Sequence, residues 1–264
     1  MTSRPRWADV PPDARAAVET LVGAPVTGSR GTAGGFTGSL AEIVTCRDGR
    51  RWFVKGSGRG AEVYRREHDI VRALPPGLPV PACRGLVDAG GWTLLVFEAV
   101  AGQTVTEPWQ DDTLAAALDS VRQLYDELTP APVTPALPVE VALRSTFSAW
   151  RERPDWADDL GLNVDLLARL ESEWPAYAHG DCLLHCDLRA DNMIVDRDGR
   201  VWVVDWPSAV VGAPFFDVVI FLVTVAVDGR HDPESWLRGY GLADEPGVNA
   251  ILAAAAGYWF RSAR

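Results

Sequence analysis

Hydrophobic and polar positions along this chain follow two different periods. From Val26 to Val54, short apolar runs alternate with the glycine-rich turns Gly31 to Gly38 and Asp48-Gly49, as in an antiparallel sheet. A short helix is expected before it, from Pro12 to Val22. After it, Ala61 to Leu74 carries Val63, Ile70, Val71 and Leu74 at helical spacing and stops against Pro75-Pro76. Thr93 to Phe97 has the continuous apolar character of a buried strand. It runs into Glu98-Ala-Val-Ala-Gly102, which we take as a hinge.

Beyond the hinge the period becomes helical. Asp112 is placed to cap a helix whose Leu114, Leu118, Val121, Tyr125 and Leu128 form one apolar stripe, and a proline-rich connection follows from Pro130 to Pro138. Residues 139 to 177 are expected to be helical, with Trp150, Trp156 and Trp174 among many carboxylates. Met193 to Val195 and Val201 to Val204, joined by Asp198-Gly199, predict a hairpin, and the chain from Asp217 onward predicts apolar helices. The expected organisation is a lobe over 1–98, a hinge over 99–102 and a larger lobe over 103–264.

Composition adds limits. The 264 residues and 47% hydrophobic content suffice for a substantial core. No secretory h-region opens the chain, and the longest apolar run, Val218 to Val227, is too short to span a bilayer, so a soluble cytoplasmic protein without a membrane partner is expected. Cys46, Cys83, Cys182 and Cys186 lack the spacing of a disulfide scaffold and are expected to be thiols. The net charge of -11 argues against a nucleic-acid partner. That charge suits a cationic small molecule and equally serves solubility.

The chemistry concentrates in His185-Cys-Asp-Leu-Arg-Ala-Asp-Asn192, followed thirteen residues later by Asp205 at the end of an apolar run. Phosphoryl transfer needs a carboxylate beside the acceptor hydroxyl, and an amide oxygen with a second carboxylate to hold magnesium on the phosphates. Asp187, Asn192 and Asp205 have the spacing for those three tasks. Among 25 basic residues Lys55 is the only lysine, and an ammonium grips phosphate as a compact point charge. Gly34, Gly35, Phe36, Thr37 and Gly38 form a turn able to lay backbone amides over a triphosphate, and Glu67, with Glu62 as competitor, is placed to pair with Lys55.

Rival patterns are weaker. Gly56-Ser-Gly58-Arg-Gly60-Ala61 fits a loose dinucleotide fingerprint but lacks its downstream acid, since that region is Pro79-Val-Pro81. His179, Asp181, Cys182, His185 and Cys186 could form a zinc cluster. However, Cys186 stands where the register of His179-Gly-Asp181 would need the metal amide, whereas Asp187 finds Asn192. Local turn and capping roles explain Asp187 and Asn192 one at a time but not their order with Lys55 and Asp205.

These residues resemble the aminoglycoside phosphotransferases and related small-molecule kinases over roughly residues 30 to 220. The specific match is His185-x-Asp187-Leu-x-x-x-Asn192 with Val203-Val-Asp205-Trp206, extended by Gly212-Ala-Pro-Phe-Phe-Asp217. The resemblance implies an α+β, two-lobed protein-kinase-like fold, with an N-terminal antiparallel sheet and one main helix, then a larger, mainly helical lobe. It implies a magnesium-dependent O-phosphotransferase that uses ATP or GTP. The acceptor would be a hydroxylated small molecule, first an aminoglycoside or similar cationic natural product, in resistance or biosynthesis.

By resemblance Asp187 is the base, Asn192 and Asp205 are magnesium ligands, Lys55 anchors phosphate and Glu67 orients it. Glu98 and Val100 lie at the purine-binding hinge, His185 is architectural, and Asp217 braces the loop. Arg189 either stabilises the transferring phosphoryl group or pairs with Asp191 or solvent. Carboxylates in the helical region (Asp155, Asp158, Asp159, Glu171, Glu173) are candidates to bind amines or to form a solvated face. Only eleven residues separate Asp205 from Asp217, too few for a protein-kinase activation segment. A macrolide, sugar or choline-like acceptor is the alternative, and a nucleotide-binding regulatory protein without transfer is the rival of another class.

Overall fold

The computed structural model describes residues 4–32, 38–133, 137–156, 161–227, 229–240 and 245–264. The chain forms two compact units, one of Met1–Val105 with Ala190–Pro207 and the other of Thr106–Arg189 with Ser208–Arg264. The architecture is the mixed one expected, with an antiparallel N-terminal sheet and a helical C-terminal part.

In the first unit, strands β1 (Val26–Gly31), β2 (Leu40–Cys46), β3 (Arg51–Ser57), β4 (Cys83–Ala89) and β5 (Trp92–Glu98) form an antiparallel sheet in the order β1-β2-β3-β5-β4. Alternation gives the sheet two apolar faces. Leu40, Val44, Trp52, Val54, Leu94 and Val96 pack with Ala14, Val18 and Val22 of helix α1 (Pro12–Val22), which stops at Gly23 in a left-handed conformation. Phe53, Leu86, Leu95 and Phe97 occupy the other face with Tyr64 and Val71 of helix α2 (Ala61–Ala73). Lys55 stands opposite Ala41 and Leu95 in register, so the pleat turns it to the α2 side.

The buried face of α2 differs from the expected stripe. Val63 is exposed, and Tyr64, Glu67 and Ile70 point inward with Val71 partly covered. The apolar count alone missed this because two of the three inward residues are polar. A second sheet of the first unit joins β6 (Gly102–Thr104) to the predicted hairpin, β8 (Met193–Asp196) and β9 (Val201–Val203). Asp196 Oδ1 accepts the Asp198 and Arg200 amides to close that turn, with Gly199 at φ 81°.

The second unit is mainly helical. Helix α3 (Asp111–Glu127) buries Leu114, Leu118, Val121 and Tyr125 of the predicted stripe, and its last member, Leu128, is the buried residue that ends the helix; Gln110 holds the N-terminal capping position and Asp112 lies in the first turn. The expected helical stretch from 139 is interrupted, giving α4 (Val139–Ala142), α5 (Ala149–Glu152) and α6 (Val164–Ala178). Then come α7 (Phe215–Ala226), α8 (Pro233–Tyr240) and α9 (Glu245–Ser262), with a short ladder of β7 (Cys182–Leu184) and β10 (Val210–Gly212). Trp174, Phe147 and Phe216 form an aromatic layer in its core. No helix among the described residues is long and apolar enough to cross a membrane.

Candidate active site

The first unit assembles one half of the predicted constellation. Lys55 Nζ lies 2.6 Å from Glu67 Oε2 and 2.7 Å from Asp205 Oδ1. The other Glu67 oxygen accepts the Trp206 amide at 3.2 Å, so one α2 carboxylate fixes both the lysine and the chain beside Asp205. Burial works against the Lys55 ammonium, but Glu67 and Asp205 outweigh it and hold its pKa above the ordinary lysine value. Burial pushes the Glu67 carboxyl up against the pull of Lys55. The competitor Glu62 is exposed and faces Arg65.

Asp205 has φ 71°, an uncommon conformation for a residue other than glycine, and its side chain is about half exposed (47%). Asn192 is buried at the end of a 3-10 turn, Ala190–Asn192, and its carbonyl accepts the Val204 amide. An amide oxygen and a carboxylate are a hard-donor pair suited to magnesium, which takes one or two protein oxygens and completes its shell with phosphate and water. Glu98 ends β5, exposed, with its amide donated to the Ala82 carbonyl, and Val100 is half-buried. Gly38 is exposed with open space about its Cα, whereas Gly34, Gly35, Phe36 and Thr37 lie outside the described residues.

The second unit holds the other half. Asp217, in the first turn of α7, is buried and gathers the loop. Its Oδ2 accepts the His185 amide at 2.7 Å, the Cys186 amide at 3.0 Å and the Tyr125 hydroxyl at 3.0 Å. Burial pushes its carboxyl up to about 6, with these donors pulling the other way. Cys186, at φ 62°, turns the chain so that the Asp187 amide donates to His185 Nδ1 at 3.3 Å. That contact requires an unprotonated Nδ1. Arg189 Nε stands 3.7 Å from Asp187 Oδ1, so its neighbour is the candidate base rather than Asp191 alone.

Tyr125 was expected only as part of an apolar stripe. A buried tyrosine hydroxyl needs a partner, and that need was the available signal that the stripe touches something polar. The rival zinc cluster has other occupations: His179 pairs with Glu140, and the buried Cys182 thiol is pushed up to about 12. Among the described residues no group of three or more His, Cys, Asp or Glu side chains is arranged to hold a metal. The four cysteines are thiols.

One acceptor candidate is corrected. Glu171 is fully buried, accepting the Trp150 and Arg151 amides and the Arg151 Nε, each at 3.0 Å. It caps α5 and is in no position to meet an amine. Asp155 pairs with Arg153, Glu173 is half-buried, and Asp158 and Asp159 lie outside the described residues. Two surface cavities of the second unit, of about 510 and 370 Å³, are lined by none of the predicted site residues.

The two halves carry different charge. The first unit has 15 basic against 14 acidic residues, and the second has 10 against 22, so the whole negative balance belongs to the second.

Comparison with known proteins agrees with this fold. Similar folds include an aminoglycoside phosphotransferase from Alicyclobacillus acidocaldarius (15% identity, TM-score 0.64, 95% of this chain and 84% of the other). A macrolide 2'-phosphotransferase from Brachybacterium faecium matches at 19% identity and TM-score 0.60, over 93% and 91% of the two chains. The GDP and kanamycin complex of APH(2")-IIia matches at 16% identity and TM-score 0.62, over 92% and 86%. No curated protein matches the chain by sequence. A profile of the phosphotransferase enzyme family matches residues 32–256, and the chain belongs to that family.

Proposed function

We propose that this phosphotransferase moves the γ-phosphoryl group of ATP or GTP to a hydroxyl group of a small, cationic natural product, with an aminoglycoside as the first class to test. The observation that carries the reading is the Lys55–Glu67–Asp205 assembly, which places one oriented ammonium beside an exposed carboxylate.

In the proposed reaction Lys55, held by Glu67, binds the nucleotide phosphates as a fixed positive charge. Because the Glu98 amide is spent on Ala82, the carbonyl is the group Glu98 offers a purine amino group, and Val100 offers backbone contacts. Magnesium, held by Asn192 and Asp205, would neutralise charge on the phosphate oxygens. Asp187 orients the acceptor hydroxyl and takes its proton as the new oxygen–phosphorus bond forms and the bond to the bridging oxygen breaks. Arg189, 3.7 Å from Asp187, adds positive charge next to the reacting groups. Gly34 to Gly38 cover the phosphates, and His185 and Asp217 hold the loop.

The acceptor class rests on the charge division. A near-neutral first unit does not repel a polyanionic nucleotide, and the strongly acidic second unit raises the local concentration of a polyamine-like acceptor. The APH(2")-IIia complex contains kanamycin and GDP, which makes both a fair first pair for this chain.

The test is magnesium-dependent transfer from ATP and GTP to a panel of aminoglycosides, macrolides, sugars and simple amino alcohols, with Asp187→Ala as control. A phosphorylated product lost in the variant supports the reading and names the acceptor. A wild-type protein that binds neither nucleotide refutes it, and one that binds tightly but phosphorylates nothing on the panel favours a regulatory role.

A further inference from the structure

Ser39 is the last residue of the connection that carries Gly34 to Gly38, and it is held from two directions. The Tyr64 hydroxyl donates to Ser39 Oγ at 2.9 Å, and Arg4 Nε donates to the Ser39 carbonyl at 2.7 Å. Tyr64 lies in the first turn of α2, its ring packed with Leu95 and Phe97 and only 9% exposed. Packing alone would be satisfied by phenylalanine; the hydroxyl adds a polar tie that a buried ring otherwise has no use for.

Helix geometry gives this tie a consequence. Tyr64 and Glu67 are three residues apart, hence neighbours on one face of α2. Glu67 reaches Lys55, and Tyr64 reaches Ser39. Ser39 directly precedes β2, whose Ala41 stands opposite Lys55 in register. One helix therefore grips both the lysine and the exit of the glycine-rich segment, at two points about one turn apart.

We infer that Tyr64 is a positioning residue for nucleotide binding: through Ser39 it holds the start of β2 in register with the Lys55–Glu67 pair, so that α2 sets that strand and the lysine together. Arg4 anchors the same point through the main chain. The role in nucleotide binding rests on the function proposed above, whereas the tie itself does not.

Tyr64→Phe, Ser39→Ala and the double variant test it. Hydrogen exchange of the amides of residues 38–41, measured without nucleotide, is expected to quicken roughly fivefold in each single variant, the worth of one lost hydrogen bond. The double variant should be no faster than either single one, because both remove the same bond. With nucleotide, KM for the triphosphate should rise by a similar factor while kcat stays within about twofold. A purely structural tyrosine would lower the unfolding midpoint while leaving local exchange and KM unchanged, and that result overturns the inference, as do independent, multiplying losses in the double variant. If the wild type binds neither ATP nor GTP, the phosphotransfer reading fails, and the exchange comparison still decides whether Tyr64 holds Ser39.

Discussion

Glu67 and Lys55 meet 2.6 Å apart on the covered face of the first sheet, and the glutamate is almost fully enclosed while the lysine keeps an edge toward Asp205. The asymmetry matters. A carboxylate withdrawn from water depends on its partner, whereas the lysine has a second carboxylate beside it and keeps part of its side chain exposed.

Removing Lys55 should therefore cost more stability than an exposed pair would. Lys55→Ala leaves Glu67 with the Trp206 amide, and a loss of about 3 kcal/mol is expected in urea unfolding at neutral pH. The sign of its pH dependence follows from the raised Glu67 pKa. Without the lysine it rises further, the folded state takes up a proton more readily than the unfolded one, and the deficit shrinks as pH falls. A deficit that grows toward acid would show that Glu67 is not the strained partner.

Asp217 gives a second pH signature. Its folded pKa of about 6 lies above that of an unfolded aspartate, so the protonated form is the one folding favours. Stability from this group is fully present below the unfolded value near pH 4 and is lost as pH rises through 6, by about 3 kcal/mol. Tyr125→Phe removes one donor to the ionised form, raises that pKa and should cost about 1 to 2 kcal/mol at pH 8 but little at pH 4. Unfolding midpoints at the two pH values decide it; equal losses at both would disconnect Tyr125 from the ionised carboxylate.

Gly56 follows Lys55 in β3, and a Cβ there would run into the Thr93 carbonyl oxygen. Backbone has little room to yield, so Gly56→Ala should separate β3 from β5, destabilise by roughly 2 to 3 kcal/mol and weaken nucleotide binding by displacing Lys55. An alanine variant with wild-type midpoint and nucleotide affinity would contradict this.

How much of this was readable beforehand depends on the kind of signal. The loop from His185 to Asn192 and the single Lys55 stand out because the chemistry proposed for them needs particular residue types at fixed spacing. The partner of Lys55 was readable because Glu67 lies on a helix just after its strand. Strands β4, β6, β7 and β10 have weak sequence signals: three of them have only three residues, and in Cys83–Ala89 the apolar positions are broken by Arg84-Gly85 and Asp88. The inward turn of Tyr64 and the tie of Tyr125 to Asp217 escaped for another reason. Both depend on tertiary contacts across 25 and 92 residues, which no local period records.

Glu171 separates the two uses of a carboxylate in this helical region. From the sequence it belonged with acids able to bind an amine, yet its oxygens are taken by two amides and a guanidinium nitrogen at the start of α5. Glu171→Gln keeps one acceptor oxygen but turns an NH2 group toward donors, leaving a buried clash of hydrogens and an unbalanced Arg151. The expected result is a loss of about 2 kcal/mol in unfolding free energy with the KM for acceptor unchanged within twofold. A glutamine variant that kept wild-type stability but bound a cationic acceptor tenfold more weakly would return Glu171 to the acceptor site, and would mean that α5 moves away from it when the acceptor binds.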